Sequence, residues 1–131
     1  MKIMVCYDGS NIAKKALEAT LKYAKALDAH VVAVTALESD QEKKLDDLGH
    51  AEQILEYAKN FLSIDNLSCE TKMLPANNLT VAENIVFFAE QERIDHIIIG
   101  TEKKSKVGKF FFGSTAQHIV LTANCPVIAI K

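Results

Sequence analysis

Two glycines near the C-terminal end flank a stretch whose residue types suit anion binding. Ile97–Ile99 is a short β-branched apolar run that predicts a strand buried on both faces, and it stops at Gly100. A lysine-rich loop follows, after which Gly113-Ser114-Thr115 opens another helical segment. Glycine lets the backbone approach a ligand closely, and free N–H groups at a helix N-terminus attract negative charge. The stretch therefore predicts an anion site, with a solvated connection as the alternative.

A single carboxylate follows the first apolar run of the chain. Ile3–Tyr7 predicts a buried strand, and Asp8-Gly9-Ser10 comes directly after it. A carboxylate in this position can contact a ligand, cap the following turn, or do both. Ser114 has a similar pair of roles, as a cap of the last helix and as a phosphate contact.

The histidines and cysteines do not predict a metal centre or a disulfide framework. The three cysteines lie in apolar or strand-like surroundings and are odd in number, which favours reduced thiols in the interior. Cys6 has no base beside it in the sequence, so packing is its expected role. The four histidines show no ligand spacing to one another or to a cysteine: His30, His50, His96 and His118.

Five strand-like segments alternate with four helical ones. The predicted strands are Ile3–Tyr7, His30–Leu37, Leu67–Leu74, His96–Ile99 and Val127–Ile130. The third alternates between apolar and polar residues, which is typical of a sheet edge. This alternation of elements predicts an α/β fold with a mainly parallel sheet covered on both faces.

The helices are predicted from 3.6-residue apolar periods and from residues that can cap them. Ser10 or Asn11 begins the first, Ser39 or Asp40 the second, and Asn78 the third. The apolar stripe of the first helix consists of Ile12, Ala16, Leu17, Leu21, Ala24 and Leu27. The stripe of the second consists of Leu45, Leu48, Ala51, Leu55, Ala58 and Leu62. The short last helix carries Ile119 and Val120.

Ligands of open parallel sheets bind beyond the carboxyl ends of the strands, where the strand order reverses. In a 3-2-1-4-5 order the reversal falls between strands one and four, at Asp8 and Gly100. A 2-1-3-4-5 order fits the same pattern of elements, so the residues alone leave both orders open.

Composition limits the classes of partner. The chain has 131 residues, 49% of them hydrophobic, and a formal net charge of −2. These values indicate one soluble domain with no general attraction to nucleic acid or anionic membranes. Since no apolar run approaches a membrane span and Met1-Lys2-Ile3 begins a strand without a signal-peptide pattern, we expect a cytoplasmic protein.

From end to end, residues 1–131, the chain resembles the universal stress protein family. The resemblance is carried by Asp8-Gly9-Ser10 after the first strand, by the segment from Ile94 to Gly100, by Phe112-Gly113-Ser114 and by the segment from Asn124 to Ile130. It implies the 3-2-1-4-5 order, the Rossmann-like fold of the adenine nucleotide α-hydrolases, and a cytoplasmic homodimer formed through the last strand, Val127–Ile130.

The family's ATP-binding members carry the motif G-x2-G-x9-G followed by Ser or Thr. Gly100, Gly113 and Ser114 match it, whereas Lys103 replaces the second glycine. The resemblance implies that Asp8 lies near the ribose, that the backbone at Ala36 faces adenine, and that Gly100, Gly113 and Ser114 hold the phosphates. The predicted site also includes Thr115, and Lys103 and Lys106 as supplementary phosphate contacts. Mg²⁺ would accompany the nucleotide, held by phosphates and water.

Three functions follow as hypotheses. The first is a stress-response regulator that binds ATP or another adenine nucleotide and acts as a dimer. The second is a dimer without a nucleotide that acts through protein partners, which the substitution at Lys103 favours. The third is a slow ATPase, for which Glu102 is the one evident general base and no Walker lysine motif exists.

Overall fold

The computed structural model describes residues 1–38, 45–101 and 113–131. Its strands and helices alternate along the chain: β1 (Lys2–Cys6), α1 (Asn11–Leu27), β2 (His30–Ala36), α2 (Leu45–Ser63), β3 (Cys69–Leu74), α3 (Val81–Gln91), β4 (His96–Gly100), α4 (Ser114–Thr122) and β5 (Val127–Ile130). The predicted elements are confirmed, with half of the strand ends shifted by one or two residues. Among the helices of the described residues, none is long and apolar enough to cross a membrane.

The strands form one parallel sheet in the order β3-β2-β1-β4-β5. This is the first of the two orders that the sequence left open. Because β1 pairs with β2 on one side and β4 on the other, the order reverses between β1 and β4. β3 lies at an edge of the sheet, as its alternating pattern predicted, and β5 lies at the opposite edge.

Two apolar layers cover the sheet, one on each face. Ile3, Val5 and Ile98 pack with α1 and α2, whereas Met4 and Ile97 pack with α3 and α4. Neighbouring residues of one strand enter opposite layers because successive side chains in a strand point to opposite faces. This explains the uninterrupted apolar runs of the central strands.

Local hydrogen bonds fix where two helices begin. Ser10 caps α1 as predicted, with its side chain accepting a bond from the Ala13 N–H. The prediction of Asn78 as the cap of α3 was wrong, because Thr80 is the N-cap and forms a reciprocal capping box with Glu83. Asn78 instead adopts a positive φ in the preceding turn, a conformation that asparagine tolerates well.

Three further expectations need correction. The N-cap of α4 is Gly113 rather than Ser114, which is the first helical residue. Leu27 and Val120, assigned to apolar stripes, are 44% and 43% exposed because they lie outside the faces that contact the sheet. The predicted caps Ser39 and Asp40 lie outside the described residues.

Candidate functional site

A cleft of about 510 Å³ opens at the carboxyl ends of β1, β2 and β4. Its floor consists of strand-end residues, and its walls come from all four helices and the turn after β1. The volume falls within the range of small-molecule sites in proteins. The cleft therefore lies at the reversal of strand order, where open parallel sheets bind their ligands.

The cleft brings together five residues that the sequence singled out. These are Asp8, Ala36, Gly100, Gly113 and Thr115. Ser114 is adjacent to two of them but does not line the cleft. The predicted lysines, Lys103 and Lys106, lie outside the described residues.

Asp8 lies at the mouth of the cleft and orders the turn between β1 and α1. Its Oδ1 accepts a hydrogen bond of 2.9 Å from the backbone N–H of Ser10. Gly9 between them has a φ of 82°, which favours glycine. The capping role is therefore observed, and Asp8 is at the same time exposed and part of the cleft lining.

Gly100 and Gly113 differ in what surrounds them. A Cβ on Gly100 would lie 2.8 Å from the carbonyl oxygen of Ile12 and 2.9 Å from its Cγ1. At Gly113 a Cβ would meet none of the described residues within 4 Å. Gly100 thus lets the end of β4 pack directly against the first turn of α1, whereas a side chain at Gly113 would contact none of the described residues.

Cys6 contributes a neutral thiol to the cleft wall. Burial, with a smaller contribution from the nearby negative charge of Asp8, raises its pKa to about 12. A thiolate is the reactive form of cysteine, so this residue is not an activated nucleophile. At the end of β1, Cys6 packs against the apolar layer that contains residues of α3 and α4, in agreement with the packing role predicted for it.

Sequence reasoning missed the contribution of α2. Asp47, His50, Ala51 and Ile54 line the cleft from this helix. Their spacing of three, one and three residues places them on one helical face, which could have been read from the sequence as a second stripe beside the core stripe. On the other side of the cleft, Val81 and Ile85 of α3 add an apolar wall.

The described lining is acidic. Its carboxylates are Asp8, Glu38 and Asp47, and among the described lining residues there is no lysine or arginine. Within the same part of the chain, no group of three or more His, Cys, Asp or Glu side chains could hold a metal ion. An anionic ligand would therefore need positive charge from elsewhere to bind here.

Comparison with known proteins gives one consistent result. A universal stress protein structure from Archaeoglobus fulgidus is 31% identical, covers 100% of this chain and 98% of its own, and has a TM-score of 0.90. A structure of the universal stress protein from the same organism in complex with dAMP is 28% identical, covers 100% and 98%, and has a TM-score of 0.84. A universal stress protein of Thermus aquaticus is 30% identical over 138 residues, covering 98% of this chain and 97% of its own.

The model of the universal stress protein family matches residues 1–131, the whole of the chain. The strand order, the position of the cleft where that order reverses and the full-length similarity all indicate the same family. The chain belongs to the universal stress protein family.

Proposed function

We propose that this protein is a cytoplasmic stress-response regulator that binds ATP, or another adenine nucleotide, in the cleft and acts as a dimer through β5. The observation that carries the proposal is the convergence of Asp8, Ala36 and Gly100 on one cleft at the reversal of strand order. The dAMP complex of the Archaeoglobus fulgidus relative supports an adenine nucleotide as the ligand class.

Each part of the cleft has a role in this proposal. The Asp8 carboxylate accepts hydrogen bonds from ribose hydroxyls, and the backbone at Ala36 reads the edge of adenine. Apolar side chains of α2 and α3, Ile54 and Val81 among them, pack against the base. Gly113 and Thr115 face the phosphates at the N-terminus of α4, and Ser114 between them completes this helix start.

The acidic lining requires a source of positive charge for the phosphates. Lys103 and Lys106 supply it in this proposal, together with Mg²⁺ that arrives with the nucleotide. The absence of a metal-binding cluster among the described residues fits an ion held by phosphate oxygens and water. Affinity for ATP should consequently depend on Mg²⁺ more strongly than affinity for AMP does.

Isothermal titration calorimetry of the purified protein with Mg-ATP, and separately with AMP, tests the proposal. We expect saturable binding at one site per chain. Asp8→Ala should weaken it, while Asp46→Ala, which removes an exposed carboxylate outside the lining, should leave it unchanged. Thermal unfolding of both variants separates a lost ligand contact from a disturbed turn. No heat at millimolar nucleotide would refute nucleotide binding.

The alternative, a dimer that acts without a nucleotide, is favoured by Lys103 at the motif position and by the carboxylates of the cleft. Replacing Gly113 and Ser114 together by bulky residues distinguishes the two. Stress survival of cells carrying this double variant should fall if a nucleotide is required, and should stay at the wild-type level if the dimer surface alone acts.

A further inference from the structure

The end of the sheet opposite the cleft carries a hydrogen-bonded Ser–His–Glu chain. The Ser68 Oγ lies 2.6 Å from the His30 Nδ1, and the Glu70 Oε1 lies 3.2 Å from the His30 Nε2. His30 begins β2 and Ala36, in the cleft lining, ends it. At roughly 3.3 Å per residue, the Ser–His–Glu group therefore lies about 20 Å from the proposed nucleotide cleft. The two sites share no residue.

Backbone hydrogen bonds of the sheet hold the three residues in register. The His30 N–H donates to the Met1 carbonyl at 2.9 Å, and the next N–H, of Val31, donates to the Ser68 carbonyl at 2.9 Å. Ser68 and Glu70 are two residues apart in extended chain, so their side chains leave it on the same side. His30 on the neighbouring strand lies between them, and the geometry is set by the main chain.

The hydrogen-bonding capacities of the groups determine where the protons lie. An ionised carboxylate can only accept, so Glu70 places the proton of neutral His30 on Nε2. The lone pair of Nδ1 then accepts the hydroxyl proton of Ser68. A serine paired with a histidine that a third group orients is the arrangement that activates a serine nucleophile.

Ser63 of α2 is also exposed, but its hydroxyl has no base as its partner among the described residues. The Ser63 hydroxyl donates to the Lys59 carbonyl at 2.7 Å, an acceptor that cannot remove its proton. Ser68 and Ser63 are both exposed, so their access to a small reagent is similar. They differ in whether a base accepts the hydroxyl proton.

We propose that Ser68 is a nucleophile that accepts acyl groups from small activated esters, with His30 as the general base and Glu70 as a positioning residue. The Ser68 Oγ bonds to the ester carbonyl carbon as its proton passes to the His30 Nδ1. The ester C–O bond then breaks, and the departing alcohol takes that proton. Water then attacks the acyl-serine carbonyl carbon while His30 accepts its proton, and the bond to the Ser68 Oγ breaks as that oxygen takes the proton back. Ester and water thus give acid and alcohol, and Ser68 is regenerated.

Brief reaction with p-nitrophenyl acetate, followed by peptide mapping of acetylated residues by mass spectrometry, tests the proposal. Since a positioned general base contributes about 10²–10⁴-fold in rate, we expect Ser68 to be acetylated at least about tenfold faster than Ser63 in the same molecules. This internal comparison needs no variant, and the mapping separates serine from lysine adducts. Equal labelling of the two serines would overturn the proposal.

Variants assign the individual roles. His30→Asn should lower labelling of Ser68 to the level of Ser63, and Ser68→Ala should remove the adduct and the associated release of p-nitrophenolate. Glu70→Gln should slow labelling several-fold through loss of the negative charge, with Glu70→Asp retaining more of the rate. Circular dichroism checks that each variant is folded. Unchanged labelling in folded His30→Asn would refute the role of the histidine.

Discussion

The close contact between Gly100 and α1 makes Gly100→Ala a quantitative test of the site's architecture. The new methyl group would meet the carbonyl oxygen of Ile12 at 2.8 Å, a distance that real Cβ atoms essentially never show. The Ile12 side chain can rotate away, but its carbonyl belongs to the first turn of α1. Relief therefore requires the helix start or the end of β4 to move.

The expected cost follows from the size of such overpacking. An extra methyl group in a packed region costs about 1–3 kcal/mol, and a Gly→Ala change returns roughly 0.4–1 kcal/mol by restricting the unfolded chain. We expect Gly100→Ala to lower the free energy of unfolding by about 1–2 kcal/mol. With an unfolding entropy of about 2.1 cal/mol/K per residue over 131 residues, this corresponds to a Tm lower by about 4–7 °C.

Gly113→Ala is the matched control from the same proposed phosphate loop. Its φ of −57° suits alanine, and a Cβ there meets no described residue within 4 Å. Its Tm should equal or slightly exceed that of the wild type. Differential scanning calorimetry of both variants gives the comparison, and a Gly100→Ala protein as stable as Gly113→Ala would refute the inferred packing role.

Two further predictions concern groups with shifted pKa values. Because the pKa of Cys6 is about 12 in the folded protein against an ordinary 9.0, the unfolded chain loses this proton first as pH rises. The contribution of Cys6 to stability should be complete below pH 9 and decline between pH 9 and 12. Denaturant titrations of wild type and Cys6→Ala over this range measure it. A difference in the free energy of unfolding between the two proteins that does not vary with pH would contradict the prediction. Thr80→Ala should destabilise the protein by about 1 kcal/mol through loss of the α3 cap. Because the pKa of Glu83 is lowered by hydrogen bonds from the Thr80 backbone and side chain, that pKa should also rise in Thr80→Ala toward the ordinary 4.5. The stabilisation linked to Glu83 is present above pH 4.5 and is lost as pH falls through its lowered pKa. If NMR shows the same titration of the Glu83 carboxyl in Thr80→Ala as in the wild type, the capping box is contradicted.

The order and type of the elements followed from the sequence because they depend on short-range physics. β-branched apolar runs such as Ile97–Ile99 favour strands, and 3.6-residue periods favour helices. Ser10 was one of the two predicted caps of α1, and its hydroxyl accepts a hydrogen bond from an N–H only three residues away. The prediction of Asn78 as a cap failed because the capping box with Glu83, three residues after the N-cap, forms at Thr80.

Long-range contacts were decided only by the tertiary structure. The sequence placed Asp8 and Gly100 at strand ends, but both sheet orders fitted until β1 was seen to pair with β4. Nothing in the local sequence shows that Gly100 meets Ile12. The second stripe of α2 can be read from its spacing, but only the tertiary structure shows that this stripe faces the cleft. His30 contacts Ser68 and Glu70 across sequence separations of 38 and 40 residues. Such pairs depend on strand register, which is fixed by the burial of the whole sheet rather than by any single segment.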